Sequence, residues 1–275
     1  MKIGDRTFLL LGASGGIGRR IMHRLVADGG YVVLVGRDME KLQGCRDELE
    51  SACRNHVTLV EADISGNTGR QTIVESIRGH DVGIDGIINC TGISQFGLFE
   101  HGRNDEIRTV FEANVIAPLM LIHNLLPELE KSSSAHIINV GSIFGSIGFP
   151  GFCLYSASKF ALRGFSEALA RELAHSGITV SYVAPRATRT DFNSAAVVAM
   201  NAELGVAMDN PDDVARNIID AIRRNRKQMY LGWPERLFVK LNSMFPSLVD
   251  IFLDKQLPVI KRHACSMAEK QEPYI

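Results

Sequence analysis

The sequence predicts a doubly wound α/β sandwich around a central, mostly parallel sheet of seven strands. Short apolar runs recur at 6–11, 31–35, 57–60, 84–89, 135–140, 178–183 and 228–231. Stretches of helical periodicity fill the intervals, with no linker-like, repeated or low-complexity segment between them. Near-continuous apolar strands alternating with helices are the pattern of a parallel sheet covered on both faces. A length of 275 residues fits one large domain of this kind.

Composition narrows the function classes. The net charge of −1 gives no basic footprint for nucleic acid. Five cysteines, at 45, 53, 90, 153 and 265, include no C-x-x-C pair, so neither a disulfide frame nor a metal site is expected. Scattered thiols point to a cytosol-like compartment, and Cys153 reads as a small buried residue. The polar stretch before the first strand, 1–5, is too short for a signal peptide. The apolar segment 115–126 is short of a membrane span and contains Pro118, His123 and Asn124.

The first run leads directly into a turn with glycines at Gly12, Gly16 and Gly18, and then into a helical stretch over 19–28. Such a turn lets main-chain N–H groups approach a pyrophosphate at the positive end of a helix. The second run ends at Gly36-Arg37, and Asp38 is placed to cap the next helix. The third is followed by Asp63-Ile64 and the fourth by Asn89-Cys-Thr-Gly92. Asn114 lies in a helical stretch, and Ser142 stands where the fifth strand ends, the edge at which open α/β sheets place their sites.

Tyr155 and Lys159 are four residues apart and so share one face of a helix. A free phenol has a pKa of roughly 10. A cation beside it favours the phenolate, so Lys159 is expected to bring Tyr155 into range for proton transfer. After the sixth strand come Pro185, Arg186 and Thr190. Asn210-Pro211-Asp212-Asp213 reads as a helix start, with a cap, a proline at the first position and acids in the first turn. That helix ends in the basic run 223–227, read either as dipole complementarity with solvation or as a site for an anionic head group.

Together, Gly12-Ala-Ser-Gly-Gly-Ile-Gly18, Asn89-Cys-Thr-Gly92, Asn114, Ser142 and Tyr155-Ser-Ala-Ser-Lys159 resemble the short-chain dehydrogenase/reductase family over roughly residues 5 to 232. The resemblance implies a Rossmann-like fold and a carbonyl–alcohol oxidoreductase. It implies that Asn114, Ser142, Tyr155 and Lys159 are catalytic, with Ser142 holding the substrate oxygen, Tyr155 exchanging the proton and Asn114 positioning a water in a relay to Lys159. It implies cofactor contacts from Gly12, Ser14, Gly16, Ile17, Gly18, Arg37, Asp63, Ile64, Asn89, Gly92, Tyr155, Lys159, Pro185 and Thr190. Gly36 removes the carboxylate that would bind the ribose of NAD, and Arg37 offers a planar cation to a 2′-phosphate, so NADP(H) is expected. The alternative makes Arg37 a solvated loop residue and gives the ribose to Asp38.

Two departures stand out. Cys90 and Thr91 differ from the usual Asn-Asn-Ala-Gly pattern. Arg186 replaces the usual glycine, and could narrow the pocket or offer a cation to an acidic substrate. The apolar segment 192–209 suggests a hydrophobic small-molecule substrate. Beyond 232 the resemblance fades, and 1–232 is expected as the dinucleotide-binding and catalytic domain, with 233–275 as an amphipathic helical extension. Its segments 233–245 and 246–257 read as packing against the domain or a partner subunit, as a wall of a lipid-like substrate pocket, or as peripheral contact with a membrane. Asp250 and Asp254 disfavour anionic lipid. The family also implies a homodimer or homotetramer built on helices around 105–130 and 153–175. A rival function is a cofactor-sensing regulatory or scaffold protein without turnover, although such proteins typically lose the Tyr or the Lys.

Overall fold

The computed structural model describes residues 2–79 and 83–268. The end of the expected C-terminal extension, residues 269–275, lies outside the described residues. Seven strands form one sheet: β1 Thr7–Leu11, β2 Tyr31–Gly36, β3 Val57–Glu61, β4 Gly86–Asn89, β5 Ala135–Val140, β6 Ile178–Ala184 and β7 Gln228–Tyr230. Their order is β3-β2-β1-β4-β5-β6-β7, and every pairing is parallel rather than mostly so.

Helices cover both faces: α1 Gly16–Ala27, α2 Met39–Asp47, α3 Asn67–Arg78, α4 Asn104–Phe111, α5 Ala117–Leu129, α6 Cys153–Glu172, α7 Ala195–Glu203 and α8 Pro211–Arg223. Side chains alternate across a strand. Phe8 and Leu10 of β1 therefore join Ile21, Leu25, Val214 and Ile218 of α1 and α8. Leu9 and Leu11 join Ile73, Ile77, Leu121 and Leu125 of α3 and α5 on the other face. Each such burial contributes roughly 1.5–3 kcal/mol, so the central strand is anchored from both sides.

Two helix starts use the chemistry read from the sequence. Asp38 Oδ1 accepts from the N–H of Lys41 at 3.1 Å, and Asn210 Oδ1 accepts from the N–H of Asp212 at 2.9 Å. At the far end of α8, Arg223 pairs with Asp28 at 2.7 Å. The first cation of the basic run thus ties α8 to the end of α1. Cys153 is exposed, contrary to expectation, because it opens α6 and the buried face begins at Leu154.

The chain runs outward from β1 to β2 and β3, then crosses back to β4 on the other side. This reversal parts the connections at the carboxyl ends of β1 and β4 and leaves a crevice there. Two further helices, α9 Glu235–Met244 and α10 Pro246–Ala268, fold back over that end. Val239 and Val249 pack on Ile143, Ile147 and Tyr182, and Ile260 packs beside Phe152, Val197 and Met200. The second of the two continues well past the expected end at 257.

The helical stretch 104–129 is long and apolar enough to cross a membrane by length and composition. Yet Val110, Leu121, Ile122, Leu125 and Leu129 of this stretch are buried in the protein. It is a helix of the sheet's covering layer, interrupted by a π-helical turn at Glu112–Ile116.

Candidate active site

A cavity of about 430 Å³ opens in the crevice and reaches from the glycine turn to the C-terminal helices. Gly12, Gly16, Ile17, Gly18, Gly92, Ser142, Tyr155, Lys159, Pro185 and Thr190 all line it. The remaining expected residues lie around it. Asn89 and Asn114 are fully buried behind its wall. Ser14, Arg37 and Asp63 are exposed at the strand ends, and Ile64 packs against the core under α3.

The turn is shaped for close approach. Gly12 has φ +74°, and a Cβ there would stand 2.8 Å from the carbonyl oxygen of Cys90. A Cβ on Gly16 would lie 2.5 Å from Thr190 Cγ2, so the turn is pressed between β4 and the loop after β6. The first turn of α1 carries no acidic residue, which keeps its positive end open to a phosphate. Side chains at these glycines would fill the cradle, so the residues present fit a dinucleotide.

Beneath the cavity runs a ladder of amides. Asn89 and Asn139 are register partners on β4 and β5. Asn89 Nδ2 donates to Asn139 Oδ1 at 3.1 Å, and Asn139 Nδ2 donates to Ser166 Oγ at 3.0 Å. Asn89 Oδ1 accepts from the N–H of Thr91 at 3.1 Å. Thr91, a departure from the family pattern, thus fixes the turn that bears Gly92. Asn114 sits on the π-helical turn. Its Oδ1 accepts from the N–H of Ile93 at 2.7 Å, and its Nδ2 donates to the Ile93 carbonyl at 3.0 Å and to Ser158 Oγ at 2.9 Å. Ser158 in turn donates to the carbonyl of Tyr155 at 2.7 Å. Asn114 is therefore tied to the Gly92 turn and to the helix that carries Tyr155.

Ser142 ends β5 and accepts on Oγ from the N–H of Phe144 at 3.1 Å. Tyr182 of β6 holds its main chain: the phenol donates to the Ser142 carbonyl at 3.1 Å and accepts from its N–H at 3.3 Å. Lys159 Nζ donates to the carbonyl of Val140 at 3.1 Å and lies 5.8 Å from the Tyr155 ring centroid.

The electrostatics correct one expectation. The sequence reading has Lys159 bring the Tyr155 phenol down. Burial instead pushes it up to about 12, against the opposing hydrogen bond with Ser142. Burial also brings the Lys159 ammonium down to about 8 and the Cys90 thiol up to about 12. Desolvation dominates because Tyr155 sits among rings: Phe144, Phe152 and Phe192 have centroids 6.4, 6.3 and 5.9 Å from its own.

Arg186 lines the cavity, as the first of its two readings has it, but differs from the second. Its Nε donates to Asp209 Oδ1 at 2.8 Å, and its Nη1 donates to the Trp233 carbonyl and to Glu235 Oε2, both at 3.1 Å. Two carboxylates neutralise it, so it offers no free cation to an acidic substrate. It instead joins the loop after β6 to the start of α9. Much of the rest of the cavity is apolar, from Phe149 and Phe192 to Phe238, Val249, Phe252 and Leu253, with a few polar side chains among them. Sequence reasoning missed these ring residues individually. The aromatic density of 144–152, just before Tyr155, is a signal that could have found Phe149.

The family model described as short chain dehydrogenase matches residues 6–201. Dehydrogenase/reductase SDR family member 7B of Danio rerio is 28% identical over 260 residues, spanning 90% of this chain and 84% of its own length. A short chain dehydrogenase/reductase from Burkholderia phymatum, solved in complex with NAD, superposes with a TM-score of 0.79 at 20% identity, over 90% of this chain and 96% of its own. A short chain dehydrogenase from Burkholderia cenocepacia J2315, in complex with NADP, gives 0.76 at 21% identity, over 92% and 99%. At such identities the two structures speak to the fold alone.

Proposed function

The chain belongs to the short-chain dehydrogenase family, and from that premise we propose that it is an NADPH-dependent oxidoreductase interconverting a carbonyl and an alcohol on a hydrophobic small molecule. The observation that carries the reading is the meeting of Ser142, Tyr155 and Lys159 on one cavity that is continuous with the glycine turn and predominantly lined by apolar side chains. Nicotinamide, when bound, supplies the hydride chemistry. The chain's own part is to hold the substrate oxygen and move its proton. The Ser142 hydroxyl and the Tyr155 phenol both face that oxygen, and a phenol raised to about 12 stays protonated at neutral pH, as a proton donor to a developing alkoxide requires. Lys159 places a positive charge beside the pair.

The choice of NADPH rests on residues, since structures of this fold hold either nucleotide. Arg37 is exposed and near enough to Asp63 to lower its carboxyl further, after the hydrogen bonds from Ser65. Asp38, the competing ribose ligand, has its carboxylate engaged in capping α2 and pairing with Lys41 at 3.2 Å. Arg37→Ala should raise the Kd for NADPH roughly tenfold or more and leave that for NADH nearly unchanged, consistent with one lost charge-assisted contact. An unaltered NADPH titration would remove the assignment.

Turnover is tested by NADPH oxidation with a panel of fatty aldehydes, ketones and diketones, with Tyr155→Phe as the control. Tight NADPH binding without turnover on any of them would move the chain to the sensor class. Exposed Ile116 and Met120 on the 104–129 stretch and Phe160 on α6 support a homodimer or homotetramer through those helices, to be checked by light scattering. Leu237, Phe245, Leu248 and Ile251 expose an apolar face on α9 and α10 for peripheral membrane contact, to be checked by vesicle flotation. Five free thiols fit a cytoplasmic setting.

A further inference from the structure

We propose that Asn201 and Gln256 form a second subsite of the same cavity that recognises a second, uncharged hydrogen-bonding oxygen on the substrate, apart from the reacting carbonyl. The inference rests on the oxidoreductase reading and specifies its substrate: an apolar skeleton carrying oxygen functions at two separate positions.

The two residues stand on cavity-facing stripes. On α7, Val197, Asn201 and Leu204 line the cavity at helical spacing. On α10, Val249, Phe252, Leu253 and Gln256 do the same. Each stripe is apolar except at one position, and there each carries a carboxamide. Asn201 is only 7% exposed, yet its side chain has no hydrogen bond among the described residues. Gln256, half-buried, has none either.

Both amides open on the cavity, where water can serve them until a ligand oxygen takes its place. Four other polar side chains of the cavity are already engaged. Asn193 Nδ2 donates to the Thr188 carbonyl at 2.8 Å, Thr188 Oγ1 donates to the Arg186 carbonyl at 3.0 Å, and Arg186 and Glu235 pair with each other. The two amides, unlike these four, are donors and acceptors available to a ligand, and they are the carboxamides of the two apolar stripes.

Their setting is fixed. Glu203 of α7 accepts from Arg262 of α10 and lies 2.8 Å from His263 Nε2. The two walls are thereby joined, which limits the ordering needed on binding. The chemistry also selects. A carboxamide donates and accepts but carries no charge, so it suits a hydroxyl, ketone or ester oxygen. With Arg186 neutralised, this end of the cavity favours a neutral group over a carboxylate.

The test uses medium-chain methyl ketones, matched in length, with and without a terminal hydroxyl, and compares kcat/KM in the full-length protein with Asn201→Leu and Gln256→Leu. Wild type should prefer the hydroxylated ketone. Each variant should lose roughly tenfold of that preference, the value of one well-made neutral hydrogen bond, while the plain ketone holds or gains. A parallel loss on both ketones, or an unchanged ratio, would overturn the subsite and leave the redox reading standing. If wild type reduces neither ketone, the redox reading is decided by the wider panel above, and thermal stabilisation by matched diols and mono-alcohols in the presence of NADP still reads the subsite. A diol-specific shift that the Leu variants abolish sustains it, and equal shifts for the two alcohols refute it.

Discussion

Tyr155 and Lys159 are each displaced from their ordinary ionisation by the same cause, removal from water. The phenol is held protonated, and the ammonium titrates near 8. The charge on Lys159 is present below that value and is lost as pH rises through it. Carbonyl reduction should therefore fall by up to roughly tenfold per pH unit above about 8, and Lys159→Met should have no such inflection. A wild-type profile flat from pH 7 to 10 would contradict this. Tyr182 acts one step further back. It accepts from the Ser142 N–H and shares the Ser142 carbonyl with the N–H of Gly145, so its loss leaves that N–H unpaired at a cost of about 1–3 kcal/mol. Tyr182→Phe should lower kcat with little change in KM, a split that overall destabilisation would not give. The convergence of Ser142, Tyr155 and Lys159 on one cavity was legible in the sequence because proton transfer, the role proposed for them, demands particular residue types at particular spacing. Tyr182 was not legible, since its partners are main-chain atoms and a tyrosine in an apolar strand looks like ordinary core.

Boundaries of strands and helices were legible where capping residues and apolar runs mark them, as at Asp38 and Asn210. The extent of α10 was not. Pro258 follows the last residue assigned to that helix, and proline ordinarily stops a helix by removing an N–H and crowding the carbonyl four residues before. Here that carbonyl belongs to Asp254, which is exposed, so water can serve it and the helix continues. The Arg186 clamp was equally hidden, because its partners Asp209, Trp233 and Glu235 are distant in sequence. Its presence constrains a neighbour. Gly232 has φ +90°, and a Cβ there would lie 2.6 Å from Arg186 Cδ. Gly232→Ala should cost about 1–3 kcal/mol in urea unfolding from backbone strain alone, and more from the contact. Adding Arg186→Gly should recover the contact part only. No recovery, or no cost from the single substitution, would show that the clamp and the turn are independent.

At the scale of the whole molecule, alternation of strand and helix revealed the class of sheet, while the central place of β1 and β4 came only with the topology. That topology explains a histidine for which the site has no use. His136 pairs in register with Gly86 and Thr179, is fully buried, and has Nδ1 without a partner; Nε2 lies 3.3 Å from Ser181 Oγ. Burial brings its pKa down from 6.5 to about 4. The unfolded chain therefore binds a proton in that window and the folded chain does not. Stability from this group is complete above about 6.5 and declines as pH falls toward 4, by about 3 kcal/mol in all. Carboxylates that are stabilised in the fold, such as Glu128 beside Lys131 and Arg78, lose their contribution only below about 4.5. The upper part of the acid limb thus belongs to the sheet and its lower part to ion pairs. Urea unfolding between pH 7 and 4.5 should show a steady loss of stability in wild type and a flatter line for His136→Gln, whose side chain cannot take the proton. Parallel lines for the two proteins would mean that the acid sensitivity arises elsewhere.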